Sequence, residues 1–487
     1  MNIWRDVAAV VGPRRDHAAI RFEGATITYG DLARRVERQA AFLASRGIDA
    51  GQRVGLFLPN TPEFVVSYYA LMRLGAVAVA INVMCKADEL RHIVHDAGAR
   101  ALITASELLP NVPPSAEVPA LRDVFLGLGE VGPEVTAPPV VDLPRDAPAA
   151  ILYTSGTTGK PKGAVLSHAN VVSNAHSARR VAGMRPDDVV LCFLPLFHCF
   201  GQNFLLNATL FGGATLALER RFSVDQVLGC VEREKVSMLF AVPTAYVALL
   251  GDPRTRGALA SVRYAFSAAA ILPGHVEGAW HAATGLHVHE GYGLTETSPF
   301  ASYNHAWRWK AGSVGAPIDN VEMCVQDPKG RLLADGETGE LCIRGPNVML
   351  GYWGRPEETA VAIQDGWFHS GDIGYRDADG DYFIVDRVKD MINAAGFKVW
   401  PREVEEVLFT CPGVHEAAVV GVPDDYAGEV VKAFLVPKAG ASLDVAAVLA
   451  HCHAHLSTYK VPKHVVIVAS LPKGATGKIL KRELRTR

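Results

Sequence analysis

Within one short stretch the chain sets hydroxyls, glycines and lysines side by side: Thr154, Ser155, Gly156, Thr157, Thr158, Gly159 and Lys160, with Lys162 and Gly163 beyond Pro161. Each type helps to hold an anion. Glycine lets the backbone turn tightly, and successive exposed N–H groups form an anion-binding nest. Hydroxyls add donors and lysines add positive charge. The stretch directly follows the apolar run 149–152, and by composition it is a phosphate-binding loop. It is not a Walker loop, because Pro161 stands where that motif needs Ser or Thr after its lysine.

Three later stretches also group chemically useful side chains. Residues 289–299 contain Glu290, Gly291, Tyr292, Gly293, Thr295, Glu296 and Ser298. This offers a flat ring between glycines, a hydroxyl donor and a hard carboxylate oxygen suited to Mg²⁺. Ser370-Gly371-Asp372 precedes Asp386-Arg387 and the string Gly396-Phe397-Lys398. Near the end, Lys473, Thr476, Gly477 and Lys478 lie close together.

These residues need elements to position them. A strand is expected over 25–29, then a helix capped by Asp31, with Leu32, Val36, Ala40 and Leu43 on one face and Gly47 closing it. A strand over 53–58, a helix over 64–74 and a strand over 75–81 continue a βαβ rhythm, which predicts a mostly parallel sheet flanked by helices. Gly127, Gly129 and Gly132 match a dinucleotide-binding spacing after a strand over 124–126. The prolines 133, 138, 139, 144 and 148 then replace the helix that such a site requires, so a linker is expected. A second βα-rich region covers 150–300, and a glycine-rich, β-rich subdomain covers 310–385. Asp377, Asp379 and Asp381 belong to a hairpin turn, since Gly380 is misplaced for a calcium loop. Beyond Lys389, a helix over 403–409, strands over 417–422 and 431–436 and a helix over 445–456 make a compact α+β domain of about 100 residues.

At 487 residues the chain is expected to form two to four subdomains. Apolar residues at 49% and charged residues at 20% are those of a globular protein, and a net charge of −3 gives no general affinity for nucleic acid. With Arg5, Asp6, Arg14, Arg15 and Asp16 near the start, no signal peptide is expected, and without a long uncharged apolar run no membrane span is expected. The eight cysteines are scattered singly, which fits a reducing, cytoplasmic setting without zinc or disulfides. His451, Cys452, His453 and His455 read as a solvated helix end.

Taken in order, these motifs resemble the adenylate-forming (ANL) superfamily, in its acyl-CoA synthetase branch, and the resemblance spans essentially the whole chain. It implies an α/β fold: a large N-terminal AMP-binding domain over 1–388, made of βα-layered subdomains plus the small β-rich one, and a small mobile α+β C-terminal domain over 389–487. It also implies roles. Thr154 to Lys160 would hold the phosphates. Ala268, Ala269 and Ala270 would form the small-residue wall under adenine, with Glu290, Gly291, Tyr292 and Gly293 completing the site. Thr295 would donate to a phosphate and Glu296 would hold Mg²⁺. Asp372 would accept from ribose, with Ile384 and Arg387 nearby, and Lys389 would be the hinge. Gly396, Phe397 and Lys398 would line the path for the thiol, and Lys478 would be the catalytic lysine. His198 matches an aromatic gate beside an acid pocket formed with Phe200, Gly201, Gln202, Phe204, Val242, Ala268, Gly293 and Ser298.

The implied reaction has two halves. A carboxylate attacks the α-phosphorus of MgATP to give an acyl adenylate and pyrophosphate; the thiol of coenzyme A then displaces AMP. Neither half needs a protein nucleophile, and catalysis is positioning and charge stabilisation. With His198, Cys199 and Phe200 where amino-acid-activating relatives carry an aspartate, a fatty or aryl acid is expected. The alternative is a free-standing adenylation enzyme that loads an acyl carrier protein. A luciferase-like reaction is disfavoured by Asn393, which stands where those relatives have a lysine. A monomer or homodimer is expected.

Overall fold

The computed structural model describes residues 1–129, 136–154, 161–387, 390–394, 397–424, 428–474 and 477–485. Gly132, Ser155, Gly156, Thr157, Thr158, Gly159, Lys160, Lys389, Gly396 and Thr476 lie outside the described residues. The chain forms two compact units: Met1–Met323 with Ile343–Phe368, and Cys324–Cys342 with His369–Arg487.

The first unit is built on two sheets. One runs in the order Gly351–Tyr352, Lys162–Ser167, Pro148–Thr154, Val77–Ala80, Arg53–Phe57, Ala101–Thr104 and Asp123–Leu126. From Pro148–Thr154 to Asp123–Leu126 its neighbours are parallel. Val77–Ala80 and Ala101–Thr104 are buried at every position, which is why they read as unbroken apolar runs rather than alternating ones. The other sheet runs Ala316–Pro317, Phe300–Tyr303, Val288–Gly293, Tyr264–Ser267, Met238–Ala241, Val189–Cys192, Thr215–Leu218, Ala18–Phe22 and Ala25–Thr28.

One predicted cap is displaced. Thr28, not Asp31, caps the helix Tyr29–Ser45, its hydroxyl accepting from Asp31 N at 3.1 Å while the Asp31 carboxylate accepts from Thr28 N at 3.3 Å. This reciprocal capping box satisfies two backbone donors, so Asp31 sits one turn inside the helix. Its hydrogen bonds from Thr28 hold the carboxyl below its usual range.

The helix His168–Val181 shows how the first unit handles a buried titratable group. Ser167 caps it, and the His168 ring lies behind with no exposed surface. His168 Nδ1 accepts from Ile3 N at 3.2 Å, so the ring must stay neutral there. Burial pushes its pKa from 6.5 down to about 4, and burial does the same to His289. Between those values the unfolded chain binds more protons than the folded one. Stability therefore rises with pH across this window and is lost as pH falls from 6.5 toward 4, by up to about 3 kcal/mol per histidine. The melting temperature is expected to drop between pH 7 and pH 5. His168→Gln is expected to flatten that dependence, and an unchanged slope would refute it.

In the second unit, Tyr382–Arg387 pairs antiparallel with Trp367–Arg376 around the turn at Asp377, whose carboxylate accepts from Asp379 N and Asp381 N at 3.0 and 2.9 Å. A further sheet runs Phe397–Val399, Ile392–Ala394, Gly428–Pro437 and Val414–Asp424, with His464–Ile467 parallel to Gly428–Pro437. The alternation of this sheet feeds two cores. Val419, Ala433 and Leu435 cluster with Val404 and Leu408 of Pro401–Thr410 and with Val448 and Cys452 of Val445–His455. Ala418, Val420 and Phe434 cluster with Leu471 and Leu484. On Val445–His455, His451 Nε2 lies 2.9 Å from the Thr410 hydroxyl, and its ring centroid is 4.5 Å from that of His455.

Candidate active site

The expected phosphate loop joins two antiparallel strands. Thr154 ends Pro148–Thr154 opposite Lys162, which opens Lys162–Ser167. Lys162 is ion-paired with Glu358 and lies 5.3 Å from the centre of the Tyr352 ring. Lys162 in turn holds the Glu358 carboxyl below its usual range.

Residues 290–293 end the strand Val288–Gly293, and Thr295–Thr297 forms a single tight turn after it. The glycines here serve packing. A Cβ at Gly291 would meet Phe266 Cζ at 2.6 Å, and one at Gly293 would meet the Pro299 carbonyl oxygen at 1.8 Å. Tyr292 is buried between them. Glu290 accepts from Leu272 N at 3.0 Å, which fixes the loop carrying Ala268, Ala269 and Ala270. Ala268 is buried, whereas Ala269 and Ala270 are exposed, and Ala269 adopts φ +70°. Glu296 is buried; its Oε1 accepts from the Tyr352 hydroxyl at 2.9 Å and its carbonyl accepts from Met349 N at 2.8 Å. Burial first, then Glu296, raises the Tyr352 pKa, so the phenol stays a neutral donor.

The segment carrying the expected acid-pocket residues His198 to Phe204 reaches the same turn through Cys199. His198 Nδ1 accepts from Phe200 N at 3.3 Å, and Phe200–Leu206 winds as a wide, π-type helix, a form common at functional sites. Gly201 is required there, since a Cβ would stand 2.2 Å from the Pro195 carbonyl oxygen. Phe200 meets Phe266 and Phe300 edge-on, with centroids 6.0 and 5.6 Å apart, and Phe204 packs on Phe300 and Phe240. Cys199 Sγ lies 3.5 Å from the Thr295 hydroxyl, joining this segment to the Thr295–Thr297 turn. Burial pushes the Cys199 thiol up to about 12, so it is no nucleophile. Gln202 and Ser298 are fully buried, and Val242 precedes the helix Pro243–Leu250.

In the second unit, Asp372 lies opposite Arg387 in the strand pair, and Arg387 Nε meets its carboxylate at 2.8 Å. Glu340, which sequence reasoning missed, clamps the turn before it: Oε1 accepts from Gly371 N at 2.9 Å and Oε2 lies 3.0 Å from His369 Nδ1. The Ile384 carbonyl accepts from the Arg402 guanidinium. The Asp386 carboxylate accepts from Arg387 N and Arg402 N, at 2.8 and 3.0 Å, and burial raises its pKa. Exposed Phe397 stacks on Tyr459 at 4.7 Å, and Lys398 is exposed beside it. Lys478 is exposed on a turn where its carbonyl accepts from Gly474 N at 2.8 Å.

The profile of the AMP-binding enzyme family matches residues 7–353, and that of the AMP-binding enzyme C-terminal domain matches residues 403–478. The chain belongs to the AMP-binding enzyme family. Within it, the chain is 39% identical to a feruloyl-CoA synthase of Amycolatopsis sp, over 96% of this chain and 95% of that protein. It is 34% identical to a long-chain-fatty-acid–CoA ligase of Bacillus subtilis (strain 168), over 96% and 91% of the two chains. An anthranilate CoA ligase solved with anthranoyl-AMP superposes with a TM-score of 0.94 at 30% identity, covering 100% of this chain and 97% of that one. The resemblance to the acyl-CoA synthetase branch of the adenylate-forming enzymes is thereby established, and ATP and coenzyme A are the substrates of such enzymes. Among the described residues, no helix is long and apolar enough to cross a membrane.

Proposed function

We propose that this AMP-forming acid–thiol ligase activates an apolar carboxylic acid, aryl in the first reading and fatty in the second, and passes the acyl group to coenzyme A. The observation that supports the reading is the buried Phe200–Phe266–Phe300 cluster, whose neighbour in sequence, Cys199, brings its Sγ to 3.5 Å from the Thr295 hydroxyl. In this reading an apolar surface takes the body of the acid, and the hydroxyl and carboxylate serve its reacting end and the nucleotide phosphates. The ring-lined wall and the feruloyl and anthranilate relatives favour an aryl acid; the long-chain-fatty-acid ligase keeps the second reading.

The chain's own groups then divide the work. Residues 154–160 hold the phosphates that leave as pyrophosphate, Thr295 donates to a phosphate oxygen and His198 gates the acid. Asp372, fixed by Arg387, accepts from the ribose hydroxyls. Lys478 supplies positive charge where carboxylate and α-phosphate meet. Magnesium fits Glu296: a carboxylate oxygen is the hard ligand it prefers, and the neutral Tyr352 phenol orients that carboxylate without cancelling its charge. When bound, the ion offsets phosphate charge. For the second half-reaction the segment beyond Lys389 turns, and residues 396–398 line the thiol path. That turn has to break the hydrogen bonds of Arg402 to Asp386 and Ile384. Eight free cysteines fit a reducing cytoplasm.

Pyrophosphate release, measured across cinnamic, benzoic and straight-chain acids with and without coenzyme A, tests the reading. Aryl acids are expected to give the highest kcat/KM, with acyl-CoA formed when coenzyme A alone is the acceptor. A preference for long straight chains would move the assignment to fatty acids. Adenylate formation without transfer to coenzyme A would move it to carrier-protein loading.

A further inference from the structure

We propose that Tyr352 is the positioning residue for the Glu296 carboxylate, held in place by Lys162 and Glu358. The inference rests on the reading above in which Glu296 takes the cation. Gly351–Tyr352 is a two-residue strand on the edge of the seven-stranded sheet, with Tyr352 opposite Ala164. Its backbone is pinned: Tyr352 N donates to the Thr359 hydroxyl at 2.9 Å, and that hydroxyl donates to the Arg355 carbonyl at 2.8 Å. Gly351, at φ +142°, lets the strand lie against Thr359, because a Cβ there would meet Thr359 Cγ2 at 2.7 Å.

The ring is held as firmly as the backbone. Lys162 Nζ stands 5.3 Å from the ring centre, a cation–π distance, and is itself ion-paired with Glu358 of the helix Pro356–Ala362. This leaves the Tyr352 hydroxyl directed at Glu296 Oε1, at 2.9 Å. Glu296 is thus gripped twice by one short segment, its carbonyl by Met349 N at 2.8 Å and its carboxylate by Tyr352. A neutral donor is the suitable partner. It fixes the carboxylate rotamer without itself neutralising the charge, as an arginine or lysine in its place would.

The test is an equilibrium one. Binding of a non-hydrolysable ATP analogue is titrated with Mg²⁺ for the unchanged protein, Glu296→Gln, Tyr352→Phe and Lys162→Met, alongside metal-free analogue affinity and thermal melting. Tyr352→Phe removes a single oxygen, a donor to a charged acceptor, and is expected to raise the half-saturating Mg²⁺ concentration about tenfold. Metal-free affinity and melting should stay close to those of the unchanged protein. Lys162→Met, which keeps the hydroxyl but loosens the ring, is expected to act in the same direction more weakly, and it carries the test alone if Tyr352→Phe does not fold. If Glu296→Gln leaves the Mg²⁺ dependence unchanged, the cation reading of Glu296 fails. If Glu296→Gln raises the Mg²⁺ requirement while Tyr352→Phe or Lys162→Met leaves it unchanged, the positioning role is overturned.

Discussion

Lys478→Ala is expected to lower acyl-adenylate formation by at least about a hundredfold while sparing thioester formation from supplied acyl adenylate. The argument is one of charge. When carboxylate and α-phosphate are brought together, two anions must approach and further negative charge builds on the phosphorus oxygens. A positioned ammonium lowers that barrier, whereas the second half-reaction starts from a mixed anhydride whose leaving group is already formed. Lys478 is suited to such a transient role because it is exposed on a turn held by the Gly474–Lys478 backbone hydrogen bond, rather than built into a core. Lys481, three residues on, shows the contrast. Burial lowers its pKa, but Glu405 and Asp386 outweigh burial and leave it raised, and it is ion-paired with Glu405 at 2.8 Å as part of the fold. Lys481→Ala should therefore cost stability where Lys478→Ala costs chemistry. The two half-reactions are read separately, by pyrophosphate exchange and by coenzyme A consumption with synthetic acyl adenylate. Equal loss of both in Lys478→Ala would remove the lysine from its assigned role.

What was legible in the sequence is the family: the Thr/Ser/Gly/Lys run, the Tyr292–Glu296 stretch and the order of the motifs carried that resemblance without tertiary knowledge. The element pattern was equally open: the helix expected over 403–409 is Pro401–Thr410, and the strand expected over 53–58 is Arg53–Phe57. What stayed hidden are pairings across long sequence separation. Nothing near Lys162 shows that Glu358 will take its charge, and nothing near Glu296 shows that Tyr352 will orient it. Glu340 is equally mute, since its value lies in meeting Gly371 and His369 on a neighbouring strand. The glycines of the Tyr292 stretch were visible but their reason was not. The sequence shows only that they flank a flat ring, and the fold shows neighbours packed too closely for a methyl group.

Gly293→Ala makes that last point measurable and is expected to be among the most damaging single-methyl changes in the first unit. Its Cβ would stand 1.8 Å from the Pro299 oxygen, 2.7 Å from the Pro299 carbonyl carbon and 2.8 Å from Phe300 Cα. All three are backbone atoms, so no side-chain rotation relieves the clash, and Val288–Gly293 must part from Phe300–Tyr303 at the position where Gly293 faces Phe300. The bond from Leu294 N to the Pro299 oxygen, 3.0 Å long, would go with it, and that bond closes the turn carrying Thr295 and Glu296. Overpacking against yielding side chains costs about 1–3 kcal/mol; against backbone the cost should exceed about 3 kcal/mol. If the chain instead yields locally, Thr295 and Glu296 move, and a displacement of about 1 Å is enough for a hundredfold loss of adenylation. Gly278→Ala is the control. It lies within the helix Gly274–Thr284 with nothing inside 4 Å of its added Cβ, and it should stabilise the protein by up to about 1 kcal/mol. Denaturant unfolding and pyrophosphate release on both variants separate the outcomes. Gly293→Ala with unchanged stability and unchanged rate would mean that this turn is free to give way, and that close strand packing is not what holds Thr295 and Glu296 in register.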